Sequence, residues 1–403
     1  MKLTIDRRSL VAAGAAAAVA ALNTQPAHAA TTPDPLGVRA DFPVVANRNY
    51  LNSAYIAPVH SAVLAASRQH AEAKCMGTLQ VGGLMASLDA VRSQFARMIN
   101  ATPDEIGLLF STGDGENAIA NGIGLKPGDN VVVDDLHYTT EFVLYRALEA
   151  TRGIELRIVR NRDGAVTASD FEPHIDKRTR IVSVAWVSNL NGFCHDMRPI
   201  AGLAHAHGAL FYADAVQAAG MIQLDVKAAG VDALCSGAYK WLMSEWGVAP
   251  FFVSKEVIDR VQSDRIGEFS ATRTDPEYHY QLSKTANKFE GTSRSFSAVA
   301  QLQASLAYLE KIGIARIEEH TVGLARLLHD GLVKQGYRMF TPPGNRSSIV
   351  TFYTVKPLDE YRAAFRAAAV DVTVRNGQVR VSPALFNNTD EIERFLEITK
   401  RLA

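Results

Sequence analysis

Short apolar runs recur along the first two thirds of the chain, at 107–110, 130–133, 154–159, 180–187, 209–213, 231–235 and 248–253. Stretches with helical spacing separate several of them. One is 199–207, with Pro199 in its first turn and Gly208 at its end. The runs are continuous, not alternating, which predicts strands buried on both faces and a mainly parallel sheet. Strands alternating with helices make an α/β architecture.

Beyond about residue 275 the pattern changes. Residues 297–310 and 313–335 read as long helices, 349–355 as a strand and 359–369 as a helix. Residues 372–381 alternate apolar and polar positions around Asn376-Gly377, a strong hairpin signal. The stretch 389–402 reads as a helix with Thr389 as its N-cap. This half predicts a smaller α+β domain.

The N-terminus follows neither pattern. Asp6-Arg7-Arg8-Ser9-Leu10 precedes an Ala-rich apolar run at 10–22, and Ala27-His28-Ala29 offers a small-x-small cleavage site. That layout predicts a twin-arginine-type export signal over 1–29 and a periplasmic mature protein. The run is too short for a spanning helix, which needs about 20 residues. Residues 30–48 read as a leader, 49–290 as the large domain and 291–403 as the small one.

Composition adds exclusions. Hydrophobic residues make up 47% of the 403 and charged ones 21%, enough apolar material for a large core. Lys+Arg and Asp+Glu both number 42, which argues against a nucleic-acid partner. Without residues 1–29 the chain loses three basic residues and one acidic, leaving a net charge of −2. Three cysteines make no disulfide framework. Cys75, Cys194 and Cys235 read as buried apolar fillers, with Cys194 the one open to exposure. No metal site is expected.

Ligands of open α/β sheets sit at the carboxyl ends of strands. Four run ends here are polar. They lead into Ser111-Thr112-Gly113-Asp114-Gly115-Glu116-Asn117, Ser188-Asn189-Leu190-Asn191-Gly192, Asp214-Ala215-Val216-Gln217 and Ser236-Gly237-Ala238-Tyr239-Lys240-Trp241. Lys240, beside two aromatic residues, is either a desolvated nucleophile for Schiff-base chemistry or a snorkelling surface lysine. Asp214 ends an apolar strand and is either a helix N-cap or a carboxylate whose partner is a protonated pyridine nitrogen. The Gly113-Asp114-Gly115 turn before a helix suits a phosphate, although such turns are common.

Together these segments resemble the class V aminotransferase family, fold type I pyridoxal-phosphate enzymes that include isopenicillin N epimerase-like proteins, cysteine desulfurases and kynureninases. The match is carried by 187–192, Ile200-Ala201-Gly202-Leu203-Ala204-His205-Ala206-His207-Gly208-Ala209, Asp214-Ala215-Val216-Gln217-Ala218-Ala219-Gly220 and 236–242. Weaker similarity extends it from Tyr50-Leu51-Asn52 to the C-terminus. The resemblance implies a seven-stranded, mainly parallel sheet with pyridoxal 5'-phosphate bound to Lys240. It also implies Asp214 at the ring nitrogen, Gln217 and Asn189 at the 3-oxygen, and Ser236 with the turn Asp114, Gly115 and Glu116 at the phosphate.

Tyr138 falls where the family stacks a ring on the pyridine, with His137 the alternative one position away. Tyr239 stands where relatives carry His. Gly291-Thr292 matches the turn that reaches a neighbouring subunit's phosphate, implying a homodimer with shared sites. Arg380 matches the arginine that forks onto the substrate carboxylate, with Arg375 a rival, and Asn52 is expected to bind substrate beside it.

Two departures stand out. Gly115 replaces a threonine of the phosphate turn, and no cysteine follows Cys235, so the persulfide chemistry of desulfurases is not expected. The implied activity is chemistry at the α-carbon of an amino acid, foremost transamination. Epimerisation and β-elimination or C–S lysis are the alternatives, and a non-catalytic sensor that keeps the fold is the reading from another class. Twin-arginine export carries folded proteins, which suits a cofactor loaded in the cytoplasm. An exported member resembles periplasmic enzymes that tailor siderophores such as pyoverdine.

Overall fold

The seven apolar runs form one sheet. A computed structural model describes residues 33–403 except 278 and 292, and the side chains of 272–274 are likewise outside it. The expectation of an export signal over 1–29 falls on residues outside that description. After β1 (Asn49–Tyr50) come β2 (Ile106–Leu109), β3 (Asn130–Asp134), β4 (Glu155–Val159), β5 (Thr179–Ala185), β6 (Leu210–Asp214), β7 (Ala233–Cys235) and β8 (Ala249–Val253). Their spatial order is β2-β8-β7-β6-β5-β3-β4. Pairing is parallel from β4 through β7, and β8 runs antiparallel to both its neighbours.

The continuous runs arise because successive residues fill two different cores. Val132, Val182, Phe211, Leu234 and Phe252 pack on one face of the sheet. Val131, Ile181, Tyr212, Cys235 and Phe251 pack on the other. Helices Thr112–Gly122, Thr139–Arg152 and Met197–Ala206 supply crossovers. The last ends before Gly208, whose φ of 75° is the left-handed conformation that suits glycine after a helix. Among the described residues no helix is long and apolar enough to cross a membrane.

After the hairpin of β9 (Ala271–Thr274) and β10 (Tyr280–Leu282), a second sheet forms. It contains β11 (Val350–Tyr353), β13 (Thr373–Arg375) and β14 (Gln378–Val381), in the order β11-β14-β13. The predicted hairpin is present. Asn376 and Gly377 both have positive φ, 53° and 74°, as a two-residue primed turn requires. Helices Ile314–Lys334 and Thr389–Leu402 cover this sheet through Leu324, Leu328, Ile392 and Phe395. The final helix is capped one residue earlier than expected. Asn388 Oδ1 accepts from Glu391 N at 3.1 Å, and Glu391 returns the bond to Asn388 N at 3.0 Å. Asparagine is a better N-cap than threonine, and this reciprocal box fixes it there.

Residues 49–52 reach the second half through a separate two-stranded sheet and one isolated bridge. β1 pairs in parallel with β12 (Val370–Asp371), and Asn52 bridges to Ser382. This places residues 52–56 beside the strand that carries Arg380. Residues 34–403 form one compact unit.

Candidate active site

A cavity of about 240 Å³ opens beyond the carboxyl ends of the large sheet, lined by Lys240, Tyr138, Asn189, Tyr239, Arg375 and Arg380, with Tyr55 and Trp246 at its wall. Lys240 reaches it from the loop after β7. Its Nζ lies 5.9 Å from the centre of the Tyr138 ring and 5.6 Å from that of Tyr239. Burial pulls the ammonium down from 10.5 to about 8, the Asp214 charge opposing and Arg380 and Arg375 reinforcing the shift. An amine of that kind is free to act as nucleophile or base near neutral pH.

Asp214 ends β6, fully enclosed. Its Oδ1 accepts from Val216 N at 2.9 Å. Burial raises its pKa, an effect partly offset by His137 and by that N–H. A cationic ring nitrogen is the partner that would relieve this cost. Around it lie buried polar atoms with no hydrogen bond in the protein: Ser236 Oγ, Asn189 Oδ1 and Arg380 Nε. At the cavity, such atoms offer hydrogen-bond positions that a ligand can fill. The donor set of lysine, aspartate, hydroxyl and guanidinium therefore fits pyridoxal phosphate with an amino acid.

Arg380, on β14, is buried. Nη1 donates to Asn189 O at 2.6 Å and Nη2 to Thr373 Oγ1 at 3.3 Å. Asn52 stands outside the cavity lining, and its Oδ1 accepts from that same Thr373 hydroxyl at 2.8 Å, so it supports the arginine through a neighbour. Arg375, the rival, opens into the same cavity. The structure thus brings both arginines to the site.

The two aromatic alternatives are separated. Tyr138 is half exposed in the cavity. His137 is turned beneath it: Nδ1 accepts from Tyr138 N at 2.8 Å and Nε2 lies 2.9 Å from Ser183 Oγ. Its Nε2 is also 3.9 Å from Glu116 Oε2. Glu116 belongs to this buried layer, not to the cavity lining. Tyr145 Oη donates to its Oε1 at 2.6 Å. Glu116 Oε2 and Glu141 Oε2 are both buried without another partner, and Glu141 is held protonated by burial and by the Glu116 charge.

The phosphate turn differs from expectation in detail. Gly115 faces the sheet: a Cβ there would stand 2.4 Å from Cys235 Cβ, so close packing of helix on strand demands glycine. Asp114 is engaged by Ser111 Oγ at 2.8 Å and by Arg265 Nη2 at 2.7 Å. Thr112, to which the sequence pattern assigns no role of its own, links this turn to the lysine loop by accepting from Gly237 N at 2.9 Å. Gln217 uses its amide to hold Ala54 O and the Trp241 indole, both at 2.8–2.9 Å, and does not line the cavity. Gly291 lines a different depression with Phe110 and Arg265, and Thr292 lies outside the described residues.

Of the cysteines, Cys235 is buried, Cys194 is partly so, and Cys75 is exposed. The expectation of buried fillers fails for Cys75, because its helix, Ser61–Met76, buries only Val63. Tyr55 and Trp246 were missed because each sits in an irregular loop whose sequence carries no period. Trp246 stacks on Tyr239 with ring centres 5.1 Å apart.

A two-cored α/β fold with lysine, aspartate and arginine converging beyond its strand ends defines a fold type I pyridoxal-phosphate enzyme. Residues 50–395 match the family model of aminotransferase class V, and the chain belongs to that family. It is 27% identical over 393 residues to a probable cysteine desulfurase of Methanothermobacter thermautotrophicus, covering 91% of this chain and 97% of that one. Among solved structures it resembles the apo cysteine desulfurase of Thermococcus onnurineus NA1, with a TM-score of 0.84 at 23% identity, covering 93% and 99% of the two chains. It also resembles the cystine C–S lyase C-DES in complex with its product cysteine persulfide, with a TM-score of 0.83 at 17% identity, covering 90% and 100%.

Proposed function

We propose that this enzyme removes the α-proton of an amino acid with Lys240 as base and completes a β-elimination, a C–S lyase outcome. The observation that carries the first step is the buried Lys240 amine, within electrostatic reach of both Asp214 and Arg380. Pyridoxal phosphate, when bound, supplies an aldehyde for the substrate amine and a ring that draws negative charge from the α-carbon. Arg380 holds the substrate carboxylate, Tyr138 closes the ring face against water, and Asp214 keeps a proton at the ring nitrogen. Lys240, neutral above about pH 8, takes the α-proton.

Similarity to proteins named for C–S chemistry favours elimination over the transamination expected from sequence. The sulfur does not pass to the enzyme on this reading. No cysteine lines the cavity, and none follows Cys235. The active form is a homodimer: Phe110 and Ile266, both more than half exposed, flank the depression that holds Gly291. The Arg7-Arg8 leader supports export of the folded, loaded protein to the periplasm.

The test is a titration of the purified holoenzyme with amino acids of both hands, with products read by mass spectrometry. Keto acid and ammonia released without any added acceptor support elimination. A requirement for an added keto acid selects transamination, and an inverted amino acid selects epimerisation. A protein that develops no visible chromophore with pyridoxal phosphate overturns the reading.

A further inference from the structure

We propose that the cavity takes an amino acid bearing two acidic groups, one held by Arg380 and the other by Arg375. This rests on the reading of the cavity as the amino-acid site. The register of the hairpin sets Thr373 opposite Arg380 and Arg375 opposite Gln378. Alternate residues of a strand share a face, so Arg375 and Arg380 are diagonal neighbours about 7–8 Å apart. Both line the cavity that Lys240 enters.

Neither guanidinium meets a carboxylate among the described residues. Arg380 bonds two neutral oxygens, the Asn189 carbonyl and the Thr373 hydroxyl, and leaves Nε unpaired. Burial, reinforced by Arg375, lowers its pKa to about 10. Three cationic side chains thus face one cavity, with the buried Asp214 beneath Lys240 as counter-charge. Like charges placed this way repel, and a buried guanidinium that bonds no carboxylate is costly.

A single α-carboxylate needs one arginine fork. The second guanidinium has a purpose if the ligand brings a second anion. Burial separates the two roles. Arg380 is enclosed and Arg375 is exposed at the mouth, so the α-carboxylate sits inside and the distal acid sits at the opening. The stacked Tyr239 and Trp246 provide an apolar wall along the way. The substrate class is therefore an amino acid with sulfur on its β-carbon, whose side chain continues past this apolar wall and ends in a second acidic group.

The test uses acids without an amine, which occupy the cavity and do not react. Glutarate and butyrate are titrated into the holoenzyme by calorimetry. Glutarate is expected to bind about tenfold more tightly, and Arg375→Gln should bring that ratio below about two, with Arg375→Lys intermediate. Equal binding of the two acids to the native protein, or an unchanged ratio in Arg375→Gln, overturns the proposal. Circular dichroism of each variant excludes misfolding as the cause. If the protein takes up no pyridoxal phosphate, the functional reading fails on its own, and the same calorimetry on the apoprotein still decides between one anion and two.

Discussion

Arg380 donates from Nη1 to the carbonyl of Asn189 at 2.6 Å, across 191 positions of sequence. The bond joins the second sheet to the loop after β5, so the residue proposed to hold the substrate also fastens the two halves of its cavity. Arg380→Lys keeps a charge and loses the fork. Its KM is expected to rise by about 10- to 100-fold, the value of one or two charge-assisted bonds. Arg380→Ala also leaves the Asn189 carbonyl unpaired and should cost about 1–3 kcal/mol of stability. Steady-state kinetics and urea unfolding check the pair. A KM unchanged in Arg380→Lys would remove the residue from substrate binding.

The depressed pKa of Lys240 has a direct readout. Burial favours the neutral amine, so its reactivity should rise through about pH 8, whereas exposed lysines rise near 10.4. Competitive acetylation of the apoprotein across pH 6–11, read by peptide mass spectrometry, measures this. Because Arg375 contributes to the shift, Arg375→Gln should move the midpoint upward. A native midpoint at 10 or above would contradict an enclosed Lys240.

Much of this was legible in the sequence because burial writes itself into composition. The seven strands appeared as continuous apolar runs, since Val131 and Val132 serve opposite cores. The Asn376-Gly377 turn was legible because few residues tolerate positive φ in succession. Lys240, Asp214 and Arg380 were found through strand-end position and resemblance together. What escaped was relational. Glu116 reads as part of a phosphate turn until Tyr145 and Glu141, from another helix, are seen to enclose its carboxylate. Gly115 reads as a lost hydroxyl until Cys235 is found against it. Neither fact has a local sequence signature, because each depends on a contact between distant segments.

Adjacent residues His137 and Tyr138 should separate cleanly on mutation. Tyr138→Ala removes a half-exposed ring and keeps the backbone N–H that His137 uses. Its stability should change by less than about 0.5 kcal/mol, with a shifted visible band and faster loss of pyridoxal phosphate. His137→Ala leaves a buried void and removes one hydrogen-bond partner of Ser183, at a cost of about 2–4 kcal/mol. Thermal unfolding beside the visible spectrum distinguishes them. Spectral loss in both with equal destabilisation would show that the two rings act as one unit.

The Glu116–Glu141 pair predicts an unusual pH dependence of stability. Glu141 keeps its proton in the fold because burial and the neighbouring Glu116 charge both oppose ionisation, so its folded pKa stands far above the unfolded value near 4.5. Between those values the native state binds one proton more than the unfolded state. Stability from this group is therefore fully present below about pH 4.5 and declines as pH rises, with a limiting slope of about 1.4 kcal/mol per pH unit for a single independent site. Glu141→Gln keeps the shape and a hydrogen-bond donor to Glu116 and removes the titration. The variant should match the native protein near pH 5 and exceed it increasingly toward pH 9. Urea unfolding at several pH values measures the gap between the two proteins. A gap that stays constant across that range would mean that Glu141 holds no extra proton in the fold.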